Sequence, residues 1–445
     1  MPPRADKDDA VPQDDPVGIR TLKAAKSGHL FTLDLTVSTM EDQVAVGPGD
    51  LVGDWREKGR HYFHYVLGQP GGYPPLIILS ARYACATDSV QLDHKVYIRI
   101  YHHPEHGANV GRFMAGYKDA LAYYSRVYGP YPYNSISLAE GSVYLPEQGS
   151  SATLDEINER YGWNAHFTNP NEFDYCYFVA ARLVAQQWWR FQVAPNETIG
   201  SLDIPEGLAW YDALVMMEHK YGKDNMRWIL ADQSWPYLFF RTRQEDGDQP
   251  LIRANYWFVW SRKASMALYG LRDLIGEDSI NRALRAFKDS FAWRTAGPYA
   301  GAPDLYTALK AHTPDSMRYF LTDSWLKRTL YDNKLDSVTV KATGRKGEYA
   351  VTMYVSVAKW WLEPDGRETP AASMADYIDI GIFGAPGTDK TTGRGKTNPL
   401  FLQRFRFTAG PHTIITIVHG KPEWGGIDPY LKLLDRQNSN NTRNF

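Results

Sequence analysis

The sequence predicts an α+β protein whose mostly helical middle lies between two regions of β-strands. Residues 28–103 alternate apolar and polar side chains with the period of two that is typical of strands, and turn residues such as GPGD separate the alternating stretches. From about Gly107 the period changes to that of amphipathic helices. After Asn333 the strand period returns, in segments such as EYAVTMYVSV and DYIDIGIF.

These changes of period divide the chain into five segments. We predict a flexible lead-in at residues 1–27, an N-terminal β region at 28–105 and a helical domain at 106–333. A small antiparallel β-sandwich at 334–436 and a disordered polar tail at 437–445 complete the chain. The β region is short for a complete sandwich, so we interpret it as part of a larger β domain.

Composition and charge narrow the class of protein. Among the 445 residues, 43% are hydrophobic and 14% are aromatic, which allows large cores and excludes wholesale disorder. The net charge of -2 gives no argument for nucleic acid as a partner. No stretch approaches the roughly eighteen consecutive apolar residues of a spanning helix, so we predict no transmembrane segment. The polar, acidic start of the chain also lacks the features of a signal peptide.

One helix stands at the centre of the predicted helical domain, over residues 174–193, DYCYFVAARLVAQQWWRFQV. Phe178, Ala181, Ala185 and Trp188 recur at three- and four-residue spacing, which predicts a buried amphipathic helix. Polar side chains inside such a helix need hydrogen-bonding partners. The polar residues that interrupt its apolar sequence are Arg182, Gln186 and Gln187.

Several segments together resemble the M1 family of zinc aminopeptidases (gluzincins), and most closely the M1-like peptidase domain associated with bacterial ABC-2 type transporter permeases. They include QQWWRFQV, RWILADQSWPYL, RKASMALYGLRDLIGEDSINRALRAF and GIDPYLKLLDR. The resemblance covers the chain from Leu30 to Arg436 and implies a thermolysin-like helical domain. It also implies an extracytoplasmic location at a bacterial membrane, with such a permease or a peptide as the partner.

In that family the central helix carries His-Glu-x-x-His before Gln-Trp-Trp, where the two histidines bind zinc and the glutamate activates the metal-bound water. When the chain is aligned on the QWW of residues 187–189, the first ligand position falls on Arg182 and the second on Gln186. The base position falls on Leu183. The third ligand, a glutamate of the next helix, is retained as Glu206.

The residue types at these positions exclude the family's mechanism. Arg182 has no free lone pair and stays protonated, Leu183 cannot accept a proton, and glutamine is a poor zinc ligand. The family's oxyanion-stabilising tyrosine falls on Ser261, and the loop that binds the substrate's free amine is changed to YLPEQGSS. We therefore predict no catalytic residues, no zinc and no other cofactor. Instead we expect Arg182 to form an ion pair with Glu206, with Gln186 nearby.

Two other groups of residues leave alternatives open. The cluster HHPEH at residues 102–106 suggests a metal site, but no matching partner motif accompanies it, and a polar surface turn is the simpler explanation. Arg182 and Gln186 suit either the recognition of a new ligand or a purely structural replacement of the metal ligands. We predict that the basic residues of a loop in the C-terminal region are solvent-exposed; they are Lys390, Arg394 and Lys396.

The leading hypothesis is a catalytically inactive M1-like protein, a pseudopeptidase that acts as a peptide- or protein-binding or interaction module. Its implied partner is an ABC-2 type permease. Two alternatives remain: an active M1-type aminopeptidase with atypical metal ligation, and a structural scaffold without a ligand. Metal content and aminopeptidase activity separate the enzyme from the other two.

Overall fold

A computed structural model describes residues 30–72, 76–196, 198–243, 248–363, 367–371, 373–390 and 393–445 of the chain. Strands, then mostly helices, then strands follow one another, so the predicted α+β fold class is confirmed. The predicted lead-in at residues 1–27 lies outside the described residues. No helix of the described part is both long enough and apolar enough to cross a bilayer.

The contacts divide the chain into two compact units that are not continuous in sequence. The first unit comprises the described residues up to Thr168, together with Asp174–Met216 and Asn281–Ala308. The second unit comprises Asn169–Phe173, Met217–Ile280 and Leu309–Phe445.

The N-terminal strands follow the alternation of the sequence. In β4, Phe63, Tyr65 and Leu67 are buried while the residues between them are partly exposed, so the strand has one core face. The sheet orders are β1-β4-β3 and β2-β5, and both sheets are antiparallel. The strands are β1 Leu30–Met40, β2 Val44–Val46, β3 Asp50–Glu57, β4 Arg60–Gly72, β5 Leu79–Ala81, β6 Ala84–Gln91 and β7 Lys95–His102.

A five-stranded sheet, ordered β6-β7-β8-β10-β9, joins the N-terminal strands to the segment that follows them. Strands β7 and β8 run parallel, as do β8 and β10. Parallel neighbours need a crossover connection, and helix α1 supplies it between β7 and β8. The sheet therefore continues across the expected boundary at residue 105. The new elements are α1 Val110–Tyr128, β8 Ser135–Gly141, β9 Gln148–Ser151 and β10 Leu154–Asn158.

Helix α2, Tyr175–Trp189, is the predicted central helix, and every residue after Tyr175 is buried. It begins where the Asp174 carboxylate accepts a hydrogen bond from the Tyr177 amide at 3.1 Å, which caps the first turn. It ends four residues earlier than the sequence predicts. The amides of Phe191 and Val193 bond to carbonyls five residues back, so the regular helical hydrogen-bond pattern stops at Trp189.

The remaining helices also form in the segments with helical periodicity. Helix α3, Gly207–Tyr221, is followed by Gly222, whose φ of 81° lies in the left-handed region that glycine adopts without strain. A short π-helix, Phe258–Lys263, precedes α5. The helices are α3 Gly207–Tyr221, α4 Met226–Phe240, α5 Ala264–Ile275, α6 Glu277–Phe291, α7 Ala302–Ala311 and α8 Arg318–Trp325.

The C-terminal strands build an antiparallel sandwich whose two sheets, β12-β13-β20 and β19-β16-β21-β22, share one core. Val351, Met353 and Val355 of one sheet and Ile378 and Ile380 of the other are buried in it. The strands are β11 Thr329–Tyr331, β12 Lys334–Ala342, β13 Glu348–Val357, β14 Lys359–Leu362, β15 Glu368–Pro370, β16 Ala375–Phe383, β17 Gly387–Thr388, β18 Gly395–Lys396, β19 Pro399–Thr408, β20 Gly410–His419, β21 Trp424–Ile427 and β22 Thr442–Asn444.

The prediction of a disordered tail at residues 437–445 is wrong. Strand β22 pairs with β21, and the Phe445 amide donates to the Glu423 carbonyl at 2.8 Å. The reason lies in the glycines of β21. A Cβ atom on Gly425 would lie 2.9 Å from the Phe445 ring, and one on Gly426 would lie 2.0 Å from the Asn441 carbonyl oxygen. The absence of side chains at these positions lets the polar tail approach and add a strand.

Glu156 of β10 is a buried carboxyl group of the five-stranded sheet. It is 4% exposed, and its Oε1 atom has no hydrogen-bond partner among the described residues. Gly141 and Gly149 make room for it, because a Cβ atom on Gly141 would lie 1.7 Å from Oε1. Burial raises the pKa of Glu156 to about 7.

We predict that Glu156→Gln stabilises the protein at neutral and alkaline pH. Because burial raises the folded-state pKa above the unfolded-state value, the wild type loses stability as the pH rises from about 4.5 to about 7. The amide does not ionise, so the variant should gain about 1–3 kcal/mol at pH 8 and almost nothing at pH 4.5. Urea unfolding at the two pH values measures this difference. The exposed Glu105→Gln is the control, and an equal gain at both pH values would contradict the argument.

Candidate functional site

Four polar side chains converge in the first unit, where α2 and the start of α3 meet. Arg182, Gln186 and Arg190 follow one another at four-residue intervals, which places them on one face of α2 and its C-terminal end. Glu206 immediately precedes α3 and is held in place by its amide, which donates to the Leu202 carbonyl at 3.1 Å. We call these four residues the Glu206 cluster.

Both oxygens of the Glu206 carboxylate are engaged by this cluster. Arg182 Nη1 donates to Oε2 at 3.0 Å, and Gln186 Nε2 donates to Oε1 at 3.1 Å. Arg190 Nη2 also donates to Oε1. The residues that the resemblance assigns to the first and second metal-ligand positions are therefore both hydrogen-bonded to the residue at the third.

The Glu206 cluster is largely shielded from water. The side chains of Arg182 and Glu206 are 8% and 13% exposed, whereas that of Arg190 is 35% exposed. Beneath the Arg182 guanidinium, the ring of Trp210 lies 5.2 Å away and adds a cation–π contact. Buried charges are stable only when they are paired and hydrogen-bonded, and here two guanidinium groups share one carboxylate.

Gln187 ties α2 to the neighbouring strands. Its Oε1 accepts from the Thr153 amide at 3.0 Å, and its Nε2 donates to the Ser151 carbonyl at 3.2 Å. The same Nε2 lies 3.5 Å from Asp155. Burial raises the pKa of Asp155 to about 7, although hydrogen bonds from Ser150 and Tyr117 and the charge of Arg182 oppose the rise.

The two tryptophans of the QWW segment are fully buried and satisfy their indole N–H groups. Trp188 donates to the Gly129 carbonyl at 3.0 Å, and Trp189 donates to Asp212 of α3 at 2.6 Å. The Tyr128 hydroxyl donates to the other oxygen of Asp212 at 2.6 Å. Burial raises the pKa of Asp212 to about 7. These contacts fix the position of α2 and therefore also that of the face that carries Arg182 and Gln186.

The donors in the Glu206 cluster do not fit a zinc ion. A guanidinium offers protons rather than lone pairs, and Arg182 would repel a cation. Both carboxylate oxygens of Glu206 already accept hydrogen bonds, and Leu183, at the position of the family's base, is 1% exposed and apolar. Among the described residues, no group of three or more His, Cys, Asp or Glu side chains is arranged to hold a metal ion.

Ser261 lies in the second unit, on the π-helix Phe258–Lys263, whereas the Glu206 cluster belongs to the first unit. It is 1% exposed, and its hydroxyl donates to the Trp257 carbonyl at 2.5 Å. The hydroxyl is therefore satisfied within its own helix. Serine also lacks the reach and the acidity of the tyrosine that the family has at this position.

The histidines of residues 102–106 are held by protein groups. His106 Nδ1 contacts Glu140 Oε1, and the His103 amide donates to Glu140 Oε2 at 2.6 Å. His102 Nδ1 lies 2.8 Å from the His103 carbonyl oxygen. The carboxylate of Glu140 and the carbonyl of His103 account for these polar contacts. The contacts fit a polar surface turn, the simpler of the two interpretations that the sequence left open.

Two contributors to the cluster, Arg190 and Trp210, were missed from the sequence. Their spacing could have identified both, because residues four apart lie on the same face of a helix. Arg190 lies four residues after Gln186, and Trp210 lies four residues after Glu206. The prediction that Arg394 is exposed is wrong. It is 5% exposed, its guanidinium lies 3.7 Å from the centre of the Tyr221 ring, and it donates to the Glu172 carbonyl at 3.0 Å.

We predict that Glu206→Gln destabilises the protein more than Arg182→Met does. The first change leaves two guanidinium groups close together without a carboxylate, and we expect a loss of about 2–4 kcal/mol. The second change leaves Glu206 paired with Arg190 and fills the space with an apolar side chain, so we expect a loss of about 1–2 kcal/mol. Urea unfolding of both variants and of the double variant measures the coupling between the two positions.

The control for this comparison is an exposed ion pair, Arg285 with Asp289, whose side chains are 53% and 55% exposed. Arg285→Gln should cost less than about 0.5 kcal/mol. If Glu206→Gln cost no more than this control, the Glu206 cluster would not be the stabilising element that its burial indicates.

No protein-family model matches the chain, and no curated protein matches its sequence. Solved structures do match. An aminopeptidase A of Legionella pneumophila, solved in complex with aspartic acid, aligns with a TM-score of 0.56 and 13% identity over 92% of this chain and 45% of that one. An M1 zinc metallopeptidase from Deinococcus radiodurans aligns with a TM-score of 0.50 and 18% identity over 67% of this chain and 64% of that one.

At these identities the likeness shows the fold alone. The chain spans between about half and two thirds of the length of these structures, as the shares of 45% and 64% indicate. The N-terminal strands, the helical middle and the C-terminal sandwich together have the fold of the M1 zinc peptidases.

Proposed function

We propose that this chain is a pseudopeptidase, a protein with the M1 fold that binds a partner and does not hydrolyse peptides. One observation carries the proposal. The side chains at the first and second metal-ligand positions, Arg182 and Gln186, donate hydrogen bonds to the side chain at the third, Glu206. The polar side chains at the three metal-ligand positions are therefore engaged in hydrogen bonds within the protein.

The remaining catalytic roles are also unfilled. A general base must accept a proton from water near pH 7, and the position of that base holds Leu183. An oxyanion needs a nearby donor as charge develops, and the position of the family's tyrosine holds Ser261, whose hydroxyl is engaged by a backbone carbonyl. The loss of a single role would lower activity, whereas the joint loss of ligands, base and oxyanion donor removes the mechanism.

The closed Glu206 cluster supports a structural role for Arg182 and Gln186 rather than a role in ligand recognition. Their polar groups point at Glu206, and little of Arg182 is accessible. A binding function would then use other surfaces of the fold. By the resemblance stated above, the partner is a permease of the ABC-2 type or a peptide, on the extracytoplasmic side of a bacterial membrane.

Purified protein should contain less than roughly 0.1 zinc per chain and should not hydrolyse aminoacyl-anilides with or without added zinc. Metal analysis by mass spectrometry and a colorimetric anilide assay test both expectations. Stoichiometric zinc together with turnover that a chelator abolishes would overturn the proposal and favour the active aminopeptidase.

Restoring the motif provides a positive test of the same argument. In the triple variant Arg182→His, Leu183→Glu and Gln186→His, the two histidines lie one helical turn apart and Glu206 is released from Arg182. We expect zinc binding to rise to roughly one ion per chain, because three suitable ligands then face one point. Aminopeptidase activity should stay low, because Ser261 is unchanged.

The matched control adds Glu206→Gln to the triple variant. It should lower zinc affinity by about 10- to 100-fold, because a charged ligand is lost. Zinc binding by the triple variant that did not depend on Glu206 would mean that these positions do not form the metal position of the fold.

A further inference from the structure

The second unit has a polar cleft of about 780 Å³, a volume in the range of ligand-binding sites. Its walls come from the start of α4, from the segment that contains β18, from strands β21 and β22, and from residues 169–171. All of these belong to the second unit, so the cleft shares no residue with the Glu206 cluster. The inference drawn from it does not depend on the loss of peptidase activity.

One side of the cleft presents an accessible aromatic ring. Trp228 of α4 is 68% exposed, although a side chain of this size usually loses most of its surface on folding. Beside it, the Arg227 guanidinium lies 6.0 Å from the Trp228 ring and 5.5 Å from the Trp424 ring. Arg227 is anchored in turn, since it donates to the Pro429 carbonyl at 3.0 Å and to the Thr442 hydroxyl at 2.9 Å.

Amide and carboxylate groups also line the cleft. Asn171 Oδ1 accepts from the Gly395 amide at 2.8 Å, and Asn169 Oδ1 accepts from the Asn171 amide at 2.9 Å. These bonds orient the two side chains while their NH₂ groups donate to no other described residue. Asp224 accepts from the hydroxyls of Thr397 and Tyr430. The wall therefore offers hydrogen-bond donors and acceptors side by side.

The cleft has an excess of positive charge. Lys396 and Arg443 are exposed, and neither side chain donates a hydrogen bond within the part of the chain that the structure describes. With Arg227 they make three cations among the lining residues, which include one carboxylate, that of Asp224; beyond the lining, Asp336 lies within the field of Arg443 and Asp428 within that of Arg227. The chain as a whole has a net charge of -2, so this local excess is not a consequence of a basic protein. It favours a ligand that carries negative charge.

We infer that this cleft binds an acidic oligosaccharide, a short chain of sugars that carries carboxylate groups. The apolar face of a sugar ring matches the exposed ring of Trp228. Sugar hydroxyls both donate and accept hydrogen bonds, as the mixed wall of Asn169, Asn171 and Asp224 requires. The carboxylate groups match the exposed ammonium group of Lys396 and the exposed guanidinium group of Arg443.

A nucleotide would also present a flat ring and negative charge, but it fits the wall less well. The hydrogen-bond donors of a nucleotide are confined to its ribose and its base, whereas every ring of an oligosaccharide carries hydroxyl groups that can donate to the carboxylate of Asp224. A neutral oligosaccharide would satisfy the amides and Trp228 and would offer no negative charge to Lys396 and Arg443. The acidic sugar is the ligand class that engages all three features.

The test uses trigalacturonic acid as the probe, with maltotriose as its neutral counterpart and adenosine monophosphate as the nucleotide. Calorimetric titration of the purified chain should give binding of trigalacturonic acid that is at least roughly tenfold tighter than that of either other probe. Higher salt should weaken it, because exposed cations contribute. Trp228→Ala should lower the affinity roughly tenfold or more, and Lys396→Gln should lower it by about threefold or more.

Matched controls come from the same elements. Trp235→Ala removes another exposed tryptophan of α4, which is 57% exposed, and Lys390→Gln removes an exposed lysine of the same loop; neither residue lines the cleft. Both should leave the affinity and the melting temperature unchanged. Trp228 is itself mostly exposed, so its variant should fold.

Each alternative outcome overturns the proposal in a definite way. Equal binding of maltotriose would remove the acidic specificity, and tighter binding of adenosine monophosphate would assign the cleft to nucleotides. Absence of trigalacturonic acid binding, or binding that Trp235→Ala weakens as much as Trp228→Ala does, would show that the cleft is not a saccharide site. None of these outcomes bears on zinc content or anilide hydrolysis.

Discussion

The carboxylate of Glu206, whose side chain is only 13% exposed, is the constraint on which the centre of the first unit depends. A carboxylate that is largely shielded from water needs compensating positive charge and hydrogen bonds. In the M1 family, by the resemblance, a divalent metal ion stands beside this glutamate. Here two guanidinium groups, from Arg182 and Arg190, carry the same total charge of two and reach both oxygens. The helix and the segment that holds Glu206 are thus joined by side chains of the protein.

Helix α2 carries the side chains that pack it into the fold and the side chains that contact Glu206 on different faces. Gln187, Trp188 and Trp189 each satisfy a buried polar group with a partner from another element, so their identities are set by the fold. The identities of Arg182 and Gln186 depend instead on Glu206, the side chain to which both donate hydrogen bonds. A change at these two positions leaves the helix packed, provided that Glu206 keeps compensating partners. This separation explains how the fold persists with a different chemical face.

The sequence predicts the parts of this structure that follow from the local spacing of apolar residues. It does not predict the parts that depend on contacts with residues far away in the chain. The strand and helix order follows from alternation and from helical spacing, and the cluster of Arg182 with Glu206 follows from alignment on the QWW segment. The C-terminal strand was missed because it depends on Gly425 and Gly426, which admit a polar segment that has no strand pattern of its own. Arg394 was misjudged because its burial depends on Tyr221, far away in sequence.

The distribution of satisfied and unsatisfied polar groups suggests where a binding function would reside. In the Glu206 cluster the donors point at an acceptor of the protein itself, so a ligand would have to displace a buried ion pair and bear its desolvation cost. In the cleft of the second unit, Lys396 and Arg443 are exposed, and most of the surface of Trp228 is accessible. A ligand there gains contacts without breaking any. If the chain is a pseudopeptidase, as we propose, we therefore expect its partners to bind at surfaces like the cleft of the second unit.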